Sequence, residues 1–158
     1  MCADVRVREM PQADLAEVTA IDEALFGPQR FPTWPFSFDV YRREYRPDIA
    51  FVAEVGGKLA GSIVGCMVLE EHNRSVLNLR HTERRPFSQV GWIDMIGVRP
   101  NSQHSGVGRE LVEAFCRRCK SMNVAVRAVA SEHDARLRRF LEAGGFKARD
   151  FLTYERDP

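Results

Sequence analysis

Between Gly91 and Met122 the chain reads GWIDMIGVRPNSQHSGVGRELVEAFCRRCKSM, and no other stretch restricts the fold as strongly. Trp92 to Val98 is apolar apart from Asp94 and has the composition of a strand. Pro100 and Asn101 end it. After Gln103-His104-Ser105-Gly106-Val107-Gly108 the pattern changes period. Val107, Leu111, Phe115 and Cys119 fall on one stripe, flanked by Val112 and Cys116, while Arg109, Glu110, Glu113, Arg117, Arg118 and Lys120 lie off it. This is an amphipathic helix with one defined core face. The first four N–H groups of a helix lack internal partners, and the macrodipole leaves partial positive charge beside them. Gly106 and Gly108 let an anion reach those groups without a side chain intervening. Strand, glycine-bearing turn and helix start therefore make an anion site, and a diphosphate is its natural ligand.

The chain on either side supplies the elements to build around it. Val5-Arg6-Val7-Arg8 alternates with period two, as a strand does. Pro11 opens a helical segment carrying Leu15, Val18, Ile21, Leu25 and Phe26 at helical spacing, ending near Gly27-Pro28. The segment 29–37, QRFPTWPFS, is too rich in proline for regular helix. It reads equally as a stiff cover for the core and as one wall of a substrate pocket. Phe38 to Tyr45 has a second helical pattern, stopped at Pro47. Ile49 to Val55 and Lys58 to Leu69 read as strands joined by a Gly56-Gly57 hairpin turn. The segment 70–89 carries Arg74, Arg80, Arg84 and Arg85, and reads as a hairpin with a solvated tip in preference to a basic docking surface. Val124 to Ala130 is the next strand. Ala135 to Ala143 is a helix with Leu137, Phe140 and Leu141 on one face, ended at Gly144-Gly145 by a left-handed cap. Phe146 to Arg156 supplies a last strand or strand pair. The order β-α-α-β-β-β-α-β-α-β implies an α/β fold, a mixed sheet with helices on its faces.

Length and charge narrow the class. The 158 residues suffice for a single domain spanning 1–158 with its own core, and no linker divides them. A net charge of +1, from 23 basic and 22 acidic side chains, gives no electrostatic case for a nucleic acid or an anionic membrane. No apolar run is long enough for a membrane span and no signal-peptide core opens the chain, so a cytoplasmic protein is expected. Without an export signal, Cys2, Cys66, Cys116 and Cys119 read as free thiols. Cys116-Arg-Arg-Cys119 has CxxC form, but lies inside the helix rather than at its start and has no second ligand pair for a metal. Packing cysteines are the better account.

Two common diphosphate sites fail. A P-loop needs Gly-Lys-Ser or Gly-Lys-Thr, and this helix opens Gly106-Val107-Gly108-Arg109-Glu110. A dinucleotide fingerprint needs a third glycine at position 111, where Leu111 stands. The spacing Gln103-x-x-Gly106-x-Gly108 after a strand ending Val98-Arg99-Pro100 instead resembles the GNAT superfamily of acyl-CoA-dependent N-acetyltransferases. Their pyrophosphate loop reads Arg or Gln, x, x, Gly, x, then Gly or Ala. The element order from Val5 to Tyr154 resembles the same family, as does Phe140-Leu-Glu-Ala-Gly-Gly-Phe146 at its C-terminal helix. The fold then implied is a mixed, mostly antiparallel sheet with helices on both faces.

The resemblance implies acetyl-CoA as co-substrate, with no metal. Its pantetheine arm would pair with Ile96, Gly97 and Val98, where Gly97 could host a bulge that opens the strands. Gln103 and the amides of His104, Ser105, Gly106, Val107, Gly108 and Arg109 would hold the pyrophosphate, with Asp134 and Phe140 completing the cofactor side. Strand alternation puts Trp92, Asp94, Ile96 and Val98 on one face. Asp94 would take the proton from the attacking amine, directly or through water, and the Val98 N–H would donate to the oxyanion. A structural carboxylate paired to a neighbouring strand or a helix start is the alternative for Asp94. Family members often carry a thiolate-protonating tyrosine where Leu141 stands; Tyr154 or His133 could substitute, or coenzyme A thiolate, a good leaving group, could depart without a dedicated acid. The expected activity is acetyl transfer to a primary amine of a small molecule or peptide, by direct attack in a ternary complex. A ribosomal-protein-alanine type of N-terminal acetyltransferase is the runner-up, from Ile21-Asp22-Glu23 and Trp34-Pro35-Phe36-Ser37. A non-catalytic acyl-CoA-binding regulator is a further alternative, and exposed strand edges leave a homodimer open.

Overall fold

In the computed structural model, residues 4–27, 37–69, 89–131 and 133–148 are described. Their strands are β1 (Val5–Glu9), β2 (Ile49–Val55), β3 (Lys58–Leu69), β4 (Gln89–Val98) and β5 (Ala125–Ala128). They form one sheet in the order β1-β2-β3-β4-β5. The first three pairings are antiparallel and β4 with β5 is parallel, so the sheet is mixed and mostly antiparallel. The helices are α1 (Leu15–Phe26), α2 (Phe38–Tyr45), α3 (Val107–Ser121) and α4 (Ala135–Ala143), with short 3-10 turns at Gln12–Asp14 and Pro100–Ser102.

Local chemistry sets most boundaries. Gly56 and Gly57 both have positive φ, 58° and 75°, as a two-residue turn between β2 and β3 requires. The Ser37 hydroxyl accepts from Val40 N–H at the start of α2, and Arg46 in a left-handed conformation ends it before Pro47. At the end of α4 the left-handed residue is Gly145, φ 83°, whereas Gly144 has φ −80°. Phe146 N–H reaches Leu141 O and Gly145 N–H reaches Glu142 O, both at 3.0 Å, the bonding of a Schellman cap.

Two cores lie on opposite faces of the sheet. On one, the stripe Val107, Leu111, Val112, Phe115 and Cys119 of α3 packs on Ile49, Ala53, Ile63 and Ile93. On the other, Val18 and Ile21 of α1 and Phe38 and Tyr41 of α2 pack on Val52, Leu59 and Val64. Cys119 is fully buried, and a Cβ at Gly91 would collide with its Sγ. Burial pushes the Cys119 thiol up to about 11 and Cys116 upward too, the opposite of what a thiolate ligand or redox pair needs.

Three expectations change. The strand expected over 124–130 is shorter, because β5 stops where its pairing with Ile93 stops. A bulge does exist in β4, but at Asp94 rather than Gly97. Val64 pairs with Met95 and Gly65 with Ile93, which leaves Asp94 as the extra residue. Gly97 pairs regularly with Ser62, and its bare Cα serves α1 instead: a Cβ there would lie 3.0 Å from Leu25 Cδ1. Phe146 to Ala148 is not strand, and 149–158, with Tyr154, lies outside the described residues, as do the segments 28–36 and 70–88.

At Gly65 both β4 and α3 lie too close for a side chain. A Cβ there would overlap Trp92 O and lie 2.8 Å from the Phe115 ring. Gly65→Ala is expected to lower stability by about 1–3 kcal/mol, read from urea denaturation, as overpacking in a fixed core does.

Candidate active site

The site is built where β4 loses a neighbour. Parallel pairing with β5 runs from Val90↔Ala125 to Ile93↔Ala128, and beyond it Met95 to Val98 have no β5 partner among the described residues. On the other side the ladder with β3 continues to Gly61↔Val98. Arg99 N–H donates to Ala60 O of β3 at 2.8 Å. Successive strand residues point their N–H groups to opposite sides, so Val98 N–H faces the gap that β5 has left. Arg99 is itself fixed, its Nε on Leu59 O and its Nη2 on Glu17, each at 2.7 Å.

The turn after β4 presents its backbone to the same region. His104 has φ 62° and Gly106 φ 92°, so the chain bends sharply into α3. No side chain caps this helix. Glu110 N–H, bonded to Gly106 O at 3.0 Å, begins the helical ladder, so the amides before it are donors for a ligand. The Ser105 hydroxyl turns inward to Ser102 O at 2.6 Å, which leaves its amide for the ligand. The two glycines act differently. A Cβ at Gly106 would meet nothing within 4 Å, so its requirement is the positive φ and open space in front of it. A Cβ at Gly108 would lie 3.3 Å from the Phe140 ring and 3.6 Å from Val98 Cγ2. Gly108 thus lets α4 close on α3, and Val98, Gly108 and Phe140 meet at the mouth of the gap.

The remaining cofactor-side candidates have defined tasks. Gln103 Nε2 donates to Val98 O at 3.1 Å, and its Oε1 accepts from Arg136 Nη2 at 2.6 Å. Its influence therefore passes through the Val98 peptide, and Arg136 brings a cation to the loop. Asp134 is the N-cap of α4, its Oδ1 accepting from Leu137 N–H at 2.9 Å. Val107 is buried in the core and Arg109 is exposed, so each contributes only a backbone amide toward an anion. The loop amides, a gap bordered by free strand edge, and nearby Arg136 suit a diphosphate joined to an extended arm.

Asp94 stands on the other side of β4. The bulge breaks the expected alternation: Ile96 and Val98 pack toward the α3 core, whereas Asp94 turns toward α2. There the Tyr41 hydroxyl donates to Asp94 Oδ2 at 2.6 Å, with Cys66 Sγ 3.7 Å from the same hydroxyl. Burial raises the Asp94 pKa above the ordinary carboxylate range, the Tyr41 and Cys66 hydrogen bonds draw it back, and the charge of Asp48 raises it. On this face a cavity of about 300 Å³ opens between α1 and α2, floored by Phe38, Ala50 and Val64, with Arg42 and Arg46 among its walls. Tyr41 and Arg136 had no signal in the sequence beyond their places on two amphipathic helices. His133 lies in the exposed turn before α4, its N–H on Ser131 Oγ at 3.2 Å.

The fold, a bulged and splayed mixed sheet with a glycine-turned helix after its fourth strand, defines an acyltransferase scaffold. The chain belongs to the acetyltransferase (GNAT) family, whose model matches residues 19–146. No curated protein matches the sequence significantly. Among solved structures, the aminoglycoside N-acetyltransferase AAC(6')-Iy in complex with CoA is similar, with a TM-score of 0.72 at 15% identity over 98% of this chain and 95% of that one. The aminoglycoside acetyltransferase meta-AAC0020, from an uncultured soil metagenomic sample, in complex with sisomicin has a TM-score of 0.67 at 16% identity over 98% and 95%. A transcriptional regulator from Bacillus halodurans C-125 has 0.69 at 18% identity over 96% and 99%. At these identities the likeness is one of fold. Among the described residues no helix is long and apolar enough to cross a membrane.

A raised carboxylate pKa also costs stability at neutral pH. The folded state of Asp94 binds its proton more tightly than the unfolded chain, so stability falls as pH rises from about 3.8 through the raised value. Asp94→Asn is expected to be more stable than the parent at pH 7 to 8. The difference should vanish toward pH 3, as measured by thermal melts across the range.

Proposed function

We propose that this chain transfers an acetyl group from acetyl-CoA to a primary amine of a small molecule or peptide, by direct attack within a ternary complex. One observation carries the reading: the amides of His104 to Arg109 and the edge of Met95 to Val98, which has no β5 partner among the described residues, lie at one gap in the sheet. A diphosphate at the loop places an arm along that edge, where extended backbone can pair with it as a sixth strand would.

The chain's own groups then divide the work. The Val98 N–H, aimed into the gap, would donate to the thioester oxygen as negative charge grows on it. Gln103 would hold the next peptide, Val98–Arg99, through its bond to Val98 O. Asp94 would receive the ammonium proton. It stands four residues before Val98, roughly 13 Å along an extended strand, so the proton would travel through water. Coenzyme A thiolate leaves readily, which reduces the need for a dedicated acid in the described part of the site. The acceptor would approach over the α1 and α2 face, where Asp94 and the 300 Å³ cavity lie. Aminoglycosides, the class on which the neighbouring enzymes are named, carry several primary amines and are natural members of a first panel.

The test is thiol release from acetyl-CoA across separate pools of aminoglycosides, polyamines and peptides, with product masses raised by one acetyl group. Tight acetyl-CoA binding without turnover in any pool would favour a regulator instead. Gly106→Val forces a branched side chain onto φ 92° and into the open space before the loop. Its KM for acetyl-CoA is expected to rise on the order of tenfold, equivalent to about 1.4 kcal/mol. Unchanged cofactor affinity in this variant would remove the loop from the site.

A further inference from the structure

We infer that Tyr41 is a positioning residue of this site, whose hydroxyl fixes the direction of the Asp94 carboxylate and holds it ready to accept a proton. The inference rests on the assignment of Asp94 as the base.

The bulge creates the need for such a residue. Asp94 is the one β4 residue skipped by the β3 ladder, so strand pairing alone does not set where its side chain points. What meets it is a rigid donor. Tyr41 is 0% exposed and sits among Val18, Ile21, Val52 and Val64. Phe38 packs beside its ring, with centroids 6.3 Å apart. The helix that carries it is pinned in turn, since Asp22 Oδ2, on α1, accepts from Phe38 N–H at 2.9 Å. A chain of contacts thus runs from α1 through α2 and Tyr41 to Asp94 Oδ2, ending in a 2.6 Å hydrogen bond.

The two side chains that hydrogen-bond the carboxylate agree in sense. Tyr41 from α2 and Cys66 from β3 both favour its charged form, against burial and against Asp48, which precedes β2 and whose Oδ2 accepts from Met67 N–H at 2.7 Å. Burial and the Asp94 charge push the Tyr41 hydroxyl pKa far up, so it remains a donor throughout the working range of pH. Were Asp94 there only to satisfy a buried phenol, a backbone carbonyl would do so without the cost of desolvating a carboxylate.

Tyr41→Phe keeps the ring and removes the donor. The Asp94 carboxyl, followed by carbon-13 NMR, is expected to titrate about one pH unit higher than in the parent, the loss of roughly one charge-assisted hydrogen bond. The acid limb of kcat/KM for the amine should move up by the same amount, with KM for acetyl-CoA unchanged. In an Asp94→Asn background the tyrosine replacement should have no further effect on rate. Replacing Tyr41 with 3,5-difluorotyrosine, a stronger donor of nearly the same shape, should move both readouts down and guards against a packing defect in the phenylalanine variant. An Asp94 titration unmoved in both variants would overturn the inference. So would a uniform loss of rate with no displacement of the limb. The NMR titration needs no acceptor, so it separates failure of this inference from failure of the acetyl-transfer reading.

Discussion

The site depends on one change in hydrogen bonding: β4 is an interior strand as far as Ile93 and a one-sided strand after it. Interior β backbone normally has both edges occupied, because unpaired N–H and C=O groups are costly when buried. Here the edge opposite β3 is open from Met95 to Val98 among the described residues, next to a helix start whose amides also lack internal acceptors. A ligand with an anionic head and an extended, amide-bearing arm satisfies both sets at once. That shared deficit, more than any one side chain, gives the gap its chemistry.

The bulge at Asp94 falls at the same place, and the coincidence has a mechanical sense. An extra residue increases the local twist of a strand. Twist added at Asp94 turns the end of β4 away from the direction of β5, whose pairing stops at Ala128 opposite Ile93. The same distortion swings Asp94 out of the alternation and over to α2, where Tyr41 waits. One irregularity thus separates the open edge of the strand from the carboxylate, which faces α2.

What the sequence disclosed follows from the range of the forces involved. The α3 stripe, the Gly56-Gly57 turn and the cap around Gly145 each rest on neighbours a few residues apart, so pattern and residue type suffice. The glycine loop was legible for the same reason, and the structure adds that Gly106 is left-handed, with φ 92°. Alternation misled at Asp94 because it presumes an unbroken ladder, and a bulge depends on the register of a strand some thirty residues away. Gly97 looked like the natural bulge but is bare because Leu25 of α1 lies above it. Gly108 looked like a means of approach for an anion, and its absent Cβ also makes room for Phe140 from α4. A glycine announces a close approach without naming what approaches.

The two halves of the site therefore differ in how they are encoded. The anion loop is continuous, Gln103 to Arg109, and its essential groups are backbone amides that most substitutions leave in place. The proposed acceptor half would be assembled from α1, α2, β3 and β4, which are tied together by Asp22 on Phe38 N–H and Tyr41 on Asp94 and bear the cavity lined by Arg42. Changing these side chains would alter that face without touching the loop. In the proposed reaction, this arrangement would let the loop hold one acyl donor through its backbone while the side chains of the opposite face varied with the amine. The neighbours at 15–18% identity share this fold while most of their residues differ.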